Sequence, residues 1–243
     1  MLEQEAGLSK VCLTGLPGSG KHRLQAVLCE QFGLNQSAVS VDAELTQPTA
    51  CGQVWCVIDI RSTLKGVADS SIELHLKHLV EKADGVIFNF TEAAELDAQS
   101  FWSKWVRQQS KTIPIVRVLN QRFPEVGLGF ESNKVSRPAC FQKTDFIPEA
   151  LETYRFDVNT IHLEHLLMGL DSSKHNLGMK IWRVQAVVQT FEYENLVAIE
   201  GTPNRWDTYA AEADQKLGWI KVQGFELQQA WLNEIIQASS SRT

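Results

Sequence analysis

This sequence has no excess of basic residues and no long apolar run. It has 23 lysines and arginines against 29 aspartates and glutamates, a net charge of −6. Proteins that bind nucleic acids mainly by neutralising phosphates carry a basic excess, so we expect no nucleic-acid partner. No apolar run approaches the roughly 20 residues of a membrane span, and the first ten residues lack the basic and apolar regions of a signal peptide. We therefore expect no membrane partner and a cytoplasmic location.

The cysteines are scattered along the chain and irregularly spaced. The chain has five cysteines, an odd number with no C-x-x-C pair: Cys12, Cys29, Cys51, Cys56 and Cys140. A disulfide framework would need an even, closely spaced set, so free thiols in a reducing compartment fit better.

Apolar runs alternate with amphipathic stretches through the first half of the chain. Strands connected by helices imply parallel pairing, and continuous apolar strands suit a sheet covered on both faces. The pattern predicts an α/β domain with a mostly parallel sheet and flanking helices over residues 1–120. The predicted strands are 11–14, 54–60, 85–90 and 113–119, and the predicted helices are 21–32, 71–83 and 93–109.

The second half of the chain has a different pattern. Prolines and glycines predict a linker or loop region over residues 121–150, and a small α+β domain over 151–243. Within that domain we predict a helix from Asn159 as N-cap, an antiparallel hairpin, a polar loop over 201–215, and a closing strand and helix.

A glycine-rich segment between the first strand and the first helix matches the phosphate-binding loop G-x-x-x-x-G-K, the Walker A motif. It is Gly15-Leu16-Pro17-Gly18-Ser19-Gly20-Lys21-His22. Gly18 and Gly20 let the backbone curl so that successive N–H groups converge on one point, and the helix N-terminus adds partial positive charge. Lys21 would contact the outer phosphates as a point charge.

The residue after the lysine departs from this motif. A serine or threonine hydroxyl usually ligates magnesium there, whereas His22 offers an imidazole, a poor ligand for Mg²⁺. We expect phosphate binding to survive this change and metal-assisted hydrolysis to suffer.

The loop resembles that of the CobW-like (G3E) P-loop GTPases, a group of metallochaperone-type proteins. Further segments are similar to elements of that family in the same order: 83–92, 112–115, 181–188 and 219–232. The resemblance implies a P-loop NTPase-like domain followed by a CobW C-terminal-like domain. It also implies GTP as ligand, a base pocket lined by Asn89, Phe90 and Glu92, and Asp59 as the acidic magnesium residue.

Several positions differ from the family pattern. Phe90 and Glu92 stand where the base-reading lysine and aspartate are expected, and Ser62 and Thr63 stand where the phosphate-sensing glycine is expected. The Cys-x-Cys-Cys metal motif is absent, and the segment that carries it is short. These changes favour a protein that binds a nucleotide, GTP or ATP, but hydrolyses it weakly or not at all. No catalytic residue is assigned.

Two other functions remain open from the sequence. The chain could be a non-catalytic interaction module, a pseudo-GTPase that no longer binds nucleotide, with its seven tryptophans partly on a protein-binding surface. A P-loop kinase would need an arginine-rich lid, for which the arginines are too dispersed. The histidine pairs His75/His78 and His162/His165 have the spacing to begin a zinc site, but solvated helix faces explain them better.

Overall fold

The computed structural model of the chain describes residues 11–41, 53–64, 70–124, 151–203, 205–211 and 217–240. The predicted linker lies outside these residues from 125 to 150, as do Cys51 and Cys140. The chain divides into two compact units, one formed by Met1–Thr63 and Ser71–Phe146 and the other by Leu64–Ser70 and Ile147–Thr243.

The first unit is a parallel sheet with flanking helices. Its five strands are hydrogen-bonded in the order β2-β1-β3-β4-β5, and every pairing among them is parallel. The elements are β1 Val11–Thr14, α1 Lys21–Phe32, β2 Val39–Val41, β3 Gln53–Asp59, α2 Ser70–Lys82, β4 Gly85–Asn89, α3 Leu96–Gln109 and β5 Ile115–Arg117. This is a P-loop NTPase-like α/β fold, and the predicted fold class is confirmed.

Apolar residues of the strands and of α1 form the core of this unit. Leu13, Trp55 and Ile87 are fully buried in it, and Leu24 of α1 packs on the same cluster. Strands buried on both faces have no room for polar residues until they end, and here polar residues follow at one edge. That carboxyl edge, where open α/β sheets bind their ligands, carries the ends of β1, β3 and β4.

The second unit is an antiparallel sheet with helices on one face. Its strands run in the order β10-β9-β8-β11-β6, and the short β7 pairs with β8 in parallel. The elements are β6 Glu152–Asp157, β7 Thr160–Ile161, α4 Leu163–Asn176, β8 Lys180–Thr190, β9 Val197–Thr202, β10 Arg205–Ala210, β11 Trp219–Phe225 and α5 Gln229–Ser240. Leu166 of α4 and Ile236 of α5 pack on Val184 and Ile220 in its core.

Two element predictions in this unit are wrong. Residues 205–210 form β10 and not a loop, because their polar side chains alternate along an edge strand that pairs with β9. The helix predicted from Asn159 begins at Leu163, since β7 takes Thr160 and Ile161 into pairing with β8 and His162 becomes the N-cap.

Most of the tryptophan side chains lie in the cores. Trp55, Trp102, Trp105 and Trp182 are at most 5% exposed, whereas Trp231 on α5 is 41% exposed. The tryptophan count therefore reflects packing, and it gives little support to a broad protein-binding surface.

The helices are short. The longest of those described, α3 and α4, have 14 residues each. In the part of the chain that the structure describes, no helix has the length and apolar content needed to span a bilayer.

Candidate nucleotide-binding site

The loop between β1 and α1 has the backbone conformation of a phosphate cradle. Gly15, Gly18 and Gly20 all have positive φ, at 145°, 83° and 83°. A Cβ on Gly15 would collide with the carbonyl oxygen of Val57, and one on Gly20 would collide with the amide of Asn89 and lie 3.0 Å from the Phe90 ring. Glycine is therefore required at both positions by conformation and by space.

Lys21 is held inside this loop. Its side chain leaves the first turn of α1, and Nζ donates to the carbonyl oxygens of Gly15 (2.6 Å) and Leu16 (2.9 Å). The residue is 7% exposed. The Lys21 ammonium, held by two backbone carbonyls, places a cationic group at the loop for an anionic ligand.

The start of α1 is open to an anion. Gly20 is the N-cap, with no side-chain hydrogen bond to the helix, and the first turn contains no acidic residue. The first N–H groups of a helix have no partners within it, and phosphate oxygens satisfy them in many proteins.

Two hydroxyl groups beneath the loop are buried without a partner. Oγ1 of Thr14 and Oγ of Ser19 have no hydrogen bond among the described residues, and both side chains are at most 3% exposed. A buried hydroxyl normally makes at least one hydrogen bond, so these groups suit a site that a polar ligand or water completes.

Asn89 supports the loop from the end of β4. Its Nδ2 donates to the carbonyl oxygen of Ser19 (3.0 Å), and its Oδ1 accepts from the backbone N–H of Phe90 (3.0 Å). The side chain is 6% exposed. The structure thus places Asn89 against the phosphate loop, where it fixes the loop's shape.

Phe90 lies beside the loop with two guanidinium groups over its ring. The guanidinium carbon of Arg61 is 3.7 Å from the ring centroid, and that of Arg23 is 5.1 Å from it. The backbone of Phe90 is left-handed, with φ 60°, a conformation that costs free energy for a bulky residue and clusters at functional sites. Glu92 follows in an exposed 3-10 turn.

Asp59 and Arg61 form a closed ion pair at the end of β3. Arg61 donates from its backbone N (3.1 Å) and Nε (3.0 Å) to Oδ1 of Asp59, and from Nη2 (2.7 Å) to Oδ2. The two side chains are 22% and 12% exposed for Arg61 and Asp59. This bidentate geometry is the strongest form of arginine–carboxylate contact, and it engages both oxygens that a metal would use.

The residues present do not fit a magnesium ion. Mg²⁺ prefers an octahedral set of hard oxygens, whereas His22 supplies an exposed imidazole and Asp59 is bound to Arg61. The described residues also contain no group of three or more His, Cys, Asp or Glu side chains that could hold a metal. No step is therefore assigned to a metal at this site.

The sequence motifs do not identify Arg61 or Arg23 as site residues. The available signal was an arginine two residues after a strand-end aspartate, the spacing at which a side chain can turn back onto the carboxylate. The motif specifies the loop and the acid alone, and it contains no position for a cation beside them.

Burial changes the pKa of two groups near Lys21. Desolvation raises the pKa of the Cys56 thiol to about 12, against a smaller lowering by Lys21. Burial, with smaller contributions from the charges of His78, Lys21 and Lys82, lowers the pKa of His75 to about 4. His75 is 9% exposed, so the interpretation of this pair as a solvated helix face is wrong for His75.

His162 and His165, the second histidine pair, belong to no group of three or more possible metal ligands among the described residues. The ring centroids of His162 and His165 are 5.0 Å apart, and Nδ1 of His162 lies 3.5 Å from Oε1 of Glu192. That glutamate oxygen also accepts from the N–H of Leu163, so it caps α4.

Comparisons with known proteins returned structural likeness alone. No family model and no curated protein matches the sequence. The zinc-bound YjiA GTPase from E. coli is similar over 95% of this chain and 98% of its own, with a TM-score of 0.36 and 9% identity. A zinc-bound triple mutant of YjiA is similar over 89% of this chain and 67% of its own, with a TM-score of 0.33 and 11% identity.

Proposed function

We propose that the chain binds a nucleotide through the phosphates at the loop Gly15–His22, with GTP as the expected ligand and ATP as the other candidate. The observation that carries this proposal is the buried Lys21 ammonium, held within a glycine-shaped loop at an uncapped helix N-terminus. Backbone N–H groups and a fixed cation together form an anion site that suits polyphosphates.

The residues of the same site are those expected of a protein that hydrolyses its nucleotide weakly or not at all. Phosphoryl transfer relies on a metal that bridges the outer phosphates, and this site has neither a hydroxyl after the lysine nor an unpaired strand-end carboxylate. Arg61 supplies positive charge near the loop without being a metal. The CobW-like resemblance of the sequence would connect such a protein with metal homeostasis or regulation.

Phe90 and Glu92 line the base pocket in this proposal. Phe90 offers an aromatic face next to Gly20, and a face of this kind stacks on any base. Asn89 is engaged by the loop, so base selection would fall to Phe90 and Glu92.

Titration calorimetry with non-hydrolysable GTP and ATP analogues, each with and without magnesium, tests the proposal. We expect saturable binding that Lys21→Ala weakens at least about tenfold, since a charge-assisted contact contributes roughly 1.5–3 kcal/mol. Lys104→Ala removes an exposed lysine from α3 and serves as the matched control, with affinity unchanged. Equal affinity of Lys21→Ala and the unmodified chain would contradict the proposal. Absence of binding to either analogue would favour a pseudo-GTPase that acts as an interaction module.

A further inference from the structure

The sheet of the second unit has one face that neither α4 nor α5 covers, and we refer to it as the open face. Side chains alternate along each strand, so Val184 and Ile220 point to the helices while their neighbours point away. Two cross-strand rows of the open face follow from the register: Tyr209, Ala198, Val187, Trp219 and Asp157 in one, and Asp207, Glu200, Gln185, Lys221 and Arg155 in the next.

A cavity of about 350 Å³ opens on this face. Its floor is formed by Val187 and Ala198, which are 6% and 3% exposed, and Tyr209 and Trp219 stand at its two sides. These aromatic residues lie three strand spacings apart, roughly 14 Å between their backbones. A small floor between two aromatic walls suits a flat apolar group.

One end of the cavity is cationic. Arg155 lines it, and its guanidinium lies over the Trp219 ring at 5.0 Å from the centroid. Lys221 is paired directly opposite Arg155 in the register of β6 and β11, and like charges in that position repel each other. Neither cation has an ion-pair partner among the described residues. Burial, Arg183 and Arg155 lower the pKa of Lys221, against a smaller raising by Glu200.

Two of the three acidic residues in these rows, Glu200 and Asp207, are paired with arginines, and Glu200 also lines the cavity. Glu200 accepts from Gln185 (3.0 Å) and pairs with Arg183 (3.4 Å). Asp207 pairs with Arg205 at 2.7 Å. Asp157 lies on the edge strand β6, opposite Trp219. Positive charge is therefore in excess at the Arg155–Lys221 end, in a chain whose net charge is −6.

We propose that this cavity binds a small planar anion, an aromatic ring bearing a carboxylate or a phosphate. The ring lies over Val187 and Ala198 between Tyr209 and Trp219, and the anionic group contacts Arg155 and Lys221. An anion there relieves the repulsion between the two cations. All residues of this site belong to the second unit, whereas the phosphate loop belongs to the first.

Calorimetry of the full chain with 1-naphthoate, 1-naphthyl phosphate and the neutral 1-naphthalenemethanol tests the proposal. We expect 1:1 binding of at least one anion, at least about tenfold tighter than the alcohol, as for one charge-assisted contact. The tighter of the two anions identifies the acidic group. The Lys21→Ala background excludes naphthyl phosphate bound at the phosphate loop.

Variants then locate the site. Arg155→Gln and Lys221→Gln should each weaken the anion about tenfold, and Ala198→Leu should abolish binding because its side chain fills the floor. Lys180→Gln, which removes a cation from the end of β8 outside the cavity, should have no effect. Equal binding of alcohol and anions, or anion affinity unchanged in the Arg155, Lys221 and Ala198 variants, would overturn the proposal.

Discussion

Arg61 neutralises Asp59, the acidic residue at the end of β3. Its guanidinium engages both oxygens of Asp59 and also lies over Phe90 beside the phosphate loop. The cation thus neutralises the strand-end acid that would otherwise be available to a metal.

The first residue-scale prediction follows from this pair. In the unmodified chain we expect that magnesium does not increase the affinity for the nucleotide. The double variant Arg61→Ala with His22→Ser removes the guanidinium from Asp59 and adds a hydroxyl after the lysine, so magnesium should now tighten binding about tenfold, the scale of one added charge-assisted contact. Calorimetry at zero and millimolar magnesium measures both. Each single variant serves as control, and a double variant indifferent to magnesium would contradict the interpretation.

His75 makes stability depend on pH. Its folded-state pKa of about 4 lies below the usual 6.5, so the unfolded chain binds the proton more tightly. Stability is complete above pH 6.5 and is lost as pH falls towards 4. Between pH 7 and pH 5 this one group should cost about 2 kcal/mol of the free energy of unfolding.

Urea denaturation at pH 7 and pH 5 checks this prediction. His75→Leu should remove about 2 kcal/mol of the pH-dependent loss, whereas His175→Gln, on an exposed side chain, should leave the loss as it is. If the His75→Leu protein loses as much stability between the two pH values as the unmodified chain, burial of a neutral imidazole is not the cause.

At the residue scale, the local motif specifies the backbone of the loop but not the contacts that distant residues make with it. The backbone positions of Gly15, Gly20 and Lys21 are specified locally, because the motif requires a strand, a left-handed turn and a helix in succession. The contact of Asn89 with Ser19 joins residues 70 positions apart. Such a contact depends on the strand order of the sheet, which a local pattern does not contain.

At the scale of elements, the shape of the loop depends on Gly20, which lies close to the side chains of Asn89 and Phe90. Gly20→Ala forces a Cβ against the Asn89 amide and the Phe90 ring at positive φ, so we expect the loop to distort and nucleotide affinity to fall at least about tenfold. Calorimetry with the same nucleotide analogue measures the loss.

Gly33 offers a matched control for this substitution. It ends α1 with φ 63°, and a Cβ there meets nothing within 4 Å. Gly33→Ala should therefore cost about 1 kcal/mol of stability through its backbone conformation and leave affinity unchanged. Equal losses of affinity in both glycine variants would show that stability alone, and not loop shape, controls binding.

The apolar patterns predicted the elements of the first unit better than those of the second. Strands such as β3 and β4 are buried on both faces and have continuous apolar sequences. In contrast, β10 is an edge strand of polar residues, and β7 has only two residues. Polarity at an edge and brevity both remove the periodic signal on which the prediction depends.

For the whole molecule, the two units have separate apolar cores. One core contains residues between Val11 and Phe123, and the other contains residues between Phe156 and Ile236. We expect a fragment of residues 147–243 to fold by itself, with a cooperative thermal transition followed by circular dichroism. The domain boundaries predicted from the sequence, 1–120, 121–150 and 151–243, remain a prediction, and the folding of this fragment tests them. A fragment that melts without cooperativity would show that its core needs the rest of the chain.

The arginine at the metal position has a consequence for competition inside a cell. Nucleoside triphosphates there circulate mainly as magnesium complexes, and a site that already holds its own cation gains nothing from the complexed form. If the loop binds a nucleotide as proposed, it would select the bare polyphosphate, and each binding event would compete with the ion for the ligand. Occupancy of the loop would then fall as free magnesium rises and recover when the ion becomes scarce, which would make the chain a reporter of magnesium supply as much as of nucleotide.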